Sequence, residues 1–221
     1  MSALKAIIFS RTIWTTLLFL GLVGCTTPTK SINSASELAI AEPNKSIVFG
    51  KLHWLENGKE IKLGTGLTDI FIAPHFMNME DKSRISGQLN EDGKFVWKLK
   101  AGTYFIFEVA YVDPWSGPHS FKTKAAFKVP ENGKIYYLGT LRSEFKPKRD
   151  LIGGLSGTVF YAINDEGESD IAAFQEKFNL HSKEIAKSLI VYEPRLPESV
   201  ETAMEFDRAL RLMNIILGAP H

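Results

Sequence analysis

The stretch ISGQLNEDGKFVWKLKAGTY, residues 85–104, carries the clearest fold signal of this chain. It contains two turn signals, Asp92-Gly93 and Gly102, because glycine enters the tight backbone conformations of turns at low cost. Three apolar side chains between these turns alternate along a strand and share one face: Phe95, Trp97 and Leu99. The stretch therefore predicts three strands joined by two turns, each of which reverses the chain as a hairpin.

Similar signals continue on both sides of this stretch. Alternating apolar residues and β-branched or aromatic clusters predict strands at residues 48–55, 60–63, 70–73, 84–89, 95–99, 103–112, 121–129, 134–141 and 157–163. Asn57-Gly58 and Asn132-Gly133 are further hairpin signals, and Pro74 is expected to end the strand before it. Many short strands with glycine-bearing turns favour a mainly β domain over residues 47–164, either an antiparallel sandwich or a small barrel.

The same stretch resembles a signature of transthyretin-like and carboxypeptidase-regulatory-like domains. That signature reads strand, Asp-Gly-x-Phe, strand, Gly-x-Tyr, strand, and it is matched by Asp92-Gly93, Phe95, Gly102 and Tyr104. The resemblance extends at most to Leu141. It implies a prealbumin-like antiparallel β-sandwich in which Phe95 and Tyr104 point inward. It implies no particular activity, since such folds host many functions.

The amino terminus has the parts of a secretory signal. Lys5 and Arg11 precede an apolar run at residues 12–24, which is shorter than the roughly 20 residues that span a bilayer. The next residue, Cys25, is the only cysteine of the 221-residue chain. A disulfide framework is therefore excluded within one chain.

Leu22-Val23-Gly24-Cys25 resembles the lipobox of bacterial lipoproteins. The resemblance implies removal of residues 1–24, a diacylglyceryl group on the sulfur of Cys25, and a fatty acid such as palmitate on the new amino terminus. Several acyl chains together anchor a protein stably in a membrane. Thr26 follows instead of the aspartate that favours the inner membrane, so the resemblance implies an outer membrane, with the domain facing the periplasm. The alternative is an ordinary signal peptide with a cysteine at this place by chance.

The segments that flank the β domain differ in composition. Residues 25–46 are polar and contain prolines, which predicts a flexible tether between the lipid and the domain. Residues 165–221 predict an α-helical extension, with a first helix that starts at Ser169-Asp170. Residues 182–188 are interpreted as a helical turn, and residues 189–192 as a possible strand.

The longest predicted helix covers residues 198–217. Its apolar side chains recur every three to four residues and form one stripe: Val200, Ala203, Met204, Leu210, Met213, Ile216 and Leu217. The stripe is expected to pack on the β domain. The alternative is a docking face for a partner protein or the membrane surface.

Composition and motifs restrict the function. The chain has 26 Lys and Arg against 25 Asp and Glu, which gives no basic surface for nucleic acid. No sequence motif of a catalytic, phosphate-binding or metal site is recognised, so no catalytic residue, cofactor or metal is predicted. A β-sandwich could bring His53, His75 and His119 together as metal ligands, but separate histidines are the expected arrangement.

One loop, Asp113–His119, is a candidate ligand-binding site. It places Trp115 between two prolines, where the ring could stack on a sugar or anchor a protein, with His119 beside it. We expect instead that Trp115 folds back onto the sheet as a lid, with the binding role as the alternative. The sequence therefore predicts a lipid-anchored, non-enzymatic binding or assembly module with an envelope protein as its partner. An envelope enzyme that acts on glycan or peptide, with unidentified catalytic residues, is the alternative function.

Overall fold

The computed structural model describes residues 27–39, 42–61, 63–64, 69–149, 155–195, 197–202 and 205. Cys25 and the rest of the predicted signal lie outside these ranges, as do residues 206–217 of the predicted terminal helix. The strands are β1 (Thr27–Thr29), β2 (Ser46–Glu56), β3 (Lys59–Glu60), β4 (Phe71–Asn78), β5 (Arg84–Gly87), β6 (Lys94–Leu99), β7 (Gly102–Asp113), β8 (Gly117–Val129), β9 (Ile135–Arg149), β10 (Leu155–Asn164), β11 (Ala186–Lys187) and β12 (Val191–Tyr192). The helices are α1 (Ala35–Ala39) and α2 (Gly167–Phe178), and residues 198–202 are also helical.

The mainly β character predicted from the sequence is confirmed, but the sheets are mixed and not antiparallel. Sheet I has the strand order β1-β5-β4-β7-β8-β12. In sheet II, β9 and β2 lie side by side, β10 and β11 pair with β9, and β3 and β6 pair with β2. The β1–β5, β2–β9 and β11–β9 pairs are parallel. The parallel pairs arise because these strands enter a sheet from elsewhere in the chain, beside a strand that is not their sequence neighbour.

The glycine turns lie where they were predicted, but three of them do not form hairpins. The chain passes from sheet I to sheet II between β5 and β6, returns between β6 and β7, and crosses again between β8 and β9. Gly93 and Gly133 have φ values of 72° and 77° in these connections. A turn signal specifies that the chain reverses, but it does not specify which strand becomes the partner. Asn57-Gly58 does close a hairpin, between β2 and β3.

The prediction that Pro74 ends a strand is wrong. β4 runs through it from Phe71 to Asn78, and Pro74 pairs with Val109 of β7. Pairing of β4 with β5 starts only at His75. At Pro74 the described strand therefore has a neighbour on one side only, a position where a missing backbone N–H is tolerated.

One hydrophobic cluster draws side chains from both sheets. Phe95, Trp97 and Leu99 of β6 all belong to it, as their alternation predicted, and so does Tyr104. Within this cluster, the ring of Phe95 stacks on the ring of Trp97, with 3.8 Å between their centroids. Val96 points to the opposite face of β6, where it joins a second cluster with Phe174 and Phe178 of α2.

Part of the predicted tether is packed on the domain. Residues 27–29 form β1, which pairs with β5, and the backbone N–H of Ile32 donates to the carbonyl of Val96 over 2.9 Å. Ile32 and Leu38 are buried in the second cluster. Residues 27–39 are therefore not the flexible spacer that their polar composition predicted, because the open edge of β5 and the outer face of β6 supply partners.

The carboxyl-terminal region is not a purely helical extension. α2 starts two residues before Ser169, with Glu166 at its cap position, and β11 lies within the predicted helical turn at 182–188. β12 supports the strand expected near 189–192. Val200 is fully buried against Met77 and Phe105 on the outer face of sheet I. The start of the terminal helix thus packs as predicted; the rest of the stripe lies outside the described residues, and its packing stays a prediction.

Candidate functional site

The β7–β8 hairpin is closed by a short, internally bonded turn. Asp113 pairs with Gly117, so Pro114, Trp115 and Ser116 form the turn. The carboxylate Oδ1 of Asp113 accepts hydrogen bonds from the backbone N–H of Trp115 over 2.8 Å and of Ser116 over 2.9 Å. Gly117 has a φ of 81°, a left-handed conformation that glycine adopts without strain and that closes short hairpin loops. The backbone of this turn is therefore well fixed.

Trp115 lies at the tip of this hairpin, and 86% of its surface is exposed. The interpretation of Trp115 as a lid folded onto the sheet is therefore wrong. The turn is too short to fold back onto the sheet. Only Pro114 and Ser116 separate Trp115 from Asp113 and Gly117, which already pair with each other in the ladder. The side chain is held outward, away from the core.

His119 lies in the same hairpin but on the other side of it. It pairs with Tyr111 across the ladder, and its Nε2 lies 3.0 Å from the hydroxyl of Ser116. Tyr111 is fully buried and belongs to the main core. The structure thus places both predicted site residues in one hairpin. It gives them different roles: Trp115 faces solvent, while His119 supports the turn.

Two further apolar residues extend the exposed surface beside Trp115. Phe71 and Val112 are cross-strand partners, and Val112 also pairs with Pro118. Phe71 is 41% and Val112 is 37% exposed, and Pro118 is exposed as well. We call Phe71, Val112, Trp115 and Pro118 the apolar tip. Sequence reasoning missed Phe71 and Val112 because β4 and β7 carry apolar residues on both faces, so alternation gives no sign of exposure.

The apolar tip is supported by an aromatic core. Tyr111 packs against Trp54 and Phe145, with centroid separations of 5.6 and 5.5 Å. Phe121, which follows the hairpin on β8, lies 4.7 Å from Phe145. These contacts join the end of sheet I to sheet II directly below the hairpin. The exposed residues of the apolar tip are therefore supported from below by packed aromatic side chains of both sheets.

The histidines considered as metal ligands have separate partners. Nδ1 of His75 lies 3.0 Å from a carboxylate oxygen of Glu108 on sheet I, whereas His53 lies on sheet II beside Glu60. Burial, followed by the nearby charge of Lys51, lowers the pKa of His53 below its usual value. Among the described residues no group of three or more His, Cys, Asp or Glu side chains is arranged to hold a metal ion.

Two tyrosines with strongly raised pKa values, Tyr104 and Tyr137, act as structural ties. Burial raises the pKa of Tyr104 to about 12, and its hydroxyl donates to the carbonyl of Lys100. Burial and the carboxylate of Asp170 also raise the pKa of Tyr137, whose hydroxyl donates to that carboxylate over 2.8 Å. The second bond ties the start of α2 to β9. Both groups stay protonated at neutral pH.

Comparison with protein-family models, with curated proteins and with solved structures finds no match to this chain. The candidate site is therefore interpreted from its own residues. Over the ranges that the structure describes, no helix combines the length and the apolar character needed to cross a membrane.

Proposed function

We propose that this chain is a lipid-anchored envelope protein that binds another envelope protein through the apolar tip, without catalysing a reaction. The observation that carries this proposal is the 86% exposure of Trp115 in a hydrogen-bonded turn. Tryptophan is enriched among the residues that dominate binding energy at interfaces. Phe71, Val112 and Pro118 supply the apolar surroundings that the centre of an interface needs.

A protein partner fits the apolar tip better than a glycan. Sugar recognition combines an aromatic face with polar groups that converge on the hydroxyls. At this end of the hairpin the polar side chains already serve the turn: Asp113 accepts from two backbone N–H groups, and His119 contacts Ser116. The four residues of the apolar tip are exposed, which favours an apolar protein surface.

We also propose that the two sheets form a sandwich of the prealbumin-like kind. Support comes from the main hydrophobic cluster, to which β2, β6 and β9 contribute from sheet II and β4, β7 and β8 from sheet I. The inward positions of Phe95 and Tyr104 agree with this proposal.

The anchor in this proposal is the lipid on Cys25, in the outer membrane and facing the periplasm. Its support is the single cysteine directly after an apolar run too short to span a bilayer. We expect acyl groups on the mature amino terminus by mass spectrometry, and we expect Cys25→Ser to release the protein from the membrane. An unmodified mature protein that starts at another residue would contradict the anchor.

Site-specific photo-crosslinking in the native cell tests the binding function. A photoreactive phenylalanine analogue at position Trp115 should give a crosslinked adduct of discrete mass. The matched control carries the same analogue at position Phe160, an aromatic residue of β10 that is also exposed, at 54%, but lies on sheet II. The control should not give this adduct.

The outcomes separate the alternatives. An adduct at position Trp115 that is absent from the control, and that contains a second protein, supports the proposal. Identical adducts from both positions would indicate non-specific contact, and a heterogeneous carbohydrate adduct would indicate a glycan ligand. The absence of any adduct from position Trp115 would also contradict the proposed partner.

A further inference from the structure

The chain is fixed to the domain almost immediately after the proposed lipid attachment. Thr27–Thr29 pair in parallel with Ile85–Gly87 at the edge of sheet I. The carbonyl of Thr29 then accepts from the N–H of Gln88 over 3.0 Å. The next residues are also held: Ser31 is only 4% exposed, and its hydroxyl accepts from the N–H of Val96.

Only Thr26 lies between Cys25 and this fixed segment. The two Cα–Cα steps from Cys25 to Thr27 span at most about 7 Å. If Cys25 carries lipid, as the proposed function requires, the acyl chains are attached next to the edge of sheet I. A short attachment of this length restricts the orientations that the domain can take on a bilayer.

The direction of β1 shows which end of the domain faces the bilayer. β1 is parallel to β5, β5 is antiparallel to β4, and β4 is antiparallel to β7. β1 therefore runs in the same direction as β7, towards the apolar tip, and Thr27 is the end of β1 that lies farther from the tip.

The register gives the distance between the anchor and the apolar tip. Thr27 is level with Ile85, which pairs with Phe76, which pairs with Ile106. The strand from Ile106 to Asp113 is about 23 Å long at roughly 3.3 Å per residue. The hairpin turn adds to this separation.

We infer that the domain stands directly on the membrane surface and presents the apolar tip away from it. The surface in contact with the bilayer, which we call the base, consists of the turns at residues 79–83 and 100–101. The partner proposed for the base is the phospholipid headgroup layer, because β1 starts at its end farther from the apolar tip, directly after the proposed lipid attachment. Lys82 and Lys100 are exposed in these turns, and so are Glu80 and Asp81, so the base presents both signs of charge to the headgroups.

The acidic residues of the base are engaged within the protein. The carboxylate of Glu80 accepts from the N–H of Thr103, and that of Asp81 accepts from the N–H of Ser83. Lys82 is engaged as well, since its Nζ lies 3.4 Å from the hydroxyl of Ser199. The two lysines and two carboxylates of these turns balance in charge, so the position of the lipid attachment, and not net charge, places this end on the bilayer. The partner of the apolar tip must then come from the far side of the domain.

Fluorescence quenching from the headgroup layer tests this orientation. The lipidated full-length mature protein is reconstituted in vesicles of phosphatidylethanolamine and phosphatidylglycerol that contain a headgroup spin label. Trp54 and Trp97 are 2% and 1% exposed, so a Trp115→Phe variant supplies the background signal. Trp115 itself reports on the tip, and Lys82→Trp in the Trp115→Phe background reports on the base.

We expect the fluorescence of Lys82→Trp to be quenched several-fold more than that of Trp115. A flexible Gly/Ser insertion between Thr26 and Thr27 should remove most of this difference. Equal quenching of the two probes, stronger quenching of Trp115, or a difference that survives the insertion would each overturn the inference. Mass spectrometry of the same sample separates these failures from a failure of the proposed function, because only the latter gives a mature chain without acyl groups.

Discussion

Two segments of this chain have the opposite burial from what their composition suggests. Residues 27–39 are rich in Ser and Thr, yet Ser31, Ile32 and Leu38 are all less than a tenth exposed. The hairpin at residues 113–119 contains a tryptophan and two prolines, yet Trp115 is 86% exposed. The contrast teaches that the presence of an available partner decides burial, more than the polarity of the segment itself.

The two segments meet different surroundings. Residues 27–32 lie beside the open edge of β5 and over β6, where unpaired backbone groups and the apolar side chain of Val96 are available. The hairpin instead projects past the ends of the neighbouring strands: β4 starts at Phe71, which already pairs with Val112. No described strand of sheet I continues far enough to cover Trp115.

The largest effect that tests this contrast is expected at Ile32. Ile32→Ala should lower the free energy of unfolding by about 2 to 5 kcal/mol, because it empties a buried apolar site in the second cluster. Urea denaturation of the mature protein measures this change. Ser36→Ala, at an exposed position of α1, is the matched control and should change the free energy by no more than about 0.5 kcal/mol. If both variants behave alike, residues 27–39 act as the tether that their composition suggests.

An intermediate effect is expected at the turn below Trp115. Asp113→Ala removes the oxygen that accepts from two backbone N–H groups, and leaving such groups without a partner costs about 1 to 3 kcal/mol. Asp113→Asn keeps an acceptor oxygen and should cost less. Thermal unfolding followed by circular dichroism compares the two variants. Equal destabilisation by Ala and Asn would show that the hydrogen bonds do not fix the turn.

The strands could be predicted from the sequence because their signals are local. Residues 48–55 and 103–112 were predicted as strands and correspond to β2 (Ser46–Glu56) and β7 (Gly102–Asp113). Strand pairing could not be predicted in the same way. Asp92-Gly93 and Asn132-Gly133 reverse the chain as expected, but they carry it from one sheet to the other, a choice made by the packing of the whole core.

The candidate site was only partly predictable for a related reason. Trp115 and His119 stood out because of the unusual loop that contains them. Phe71 and Val112 did not, because an apolar residue in a strand looks the same in sequence whether or not another element covers it. Their exposure follows from the strand order and from where each strand ends, and both of these are properties of the assembled sheet.

The smallest effect on stability is expected for Trp115→Ala, although the proposed function depends on this residue. A side chain that is 86% exposed makes few contacts that unfolding would lose, so the free energy of unfolding should change by no more than about 0.5 kcal/mol. Binding should nevertheless depend on Trp115. With the photoreactive analogue at position Val112, the crosslinked adduct should form when Trp115 is intact and should be lost in the Trp115→Ala background. A destabilisation well above this value would mean that Trp115 packs on the sheet in solution. The apolar tip would then lose its most exposed member, and the contrast with residues 27–39 would disappear.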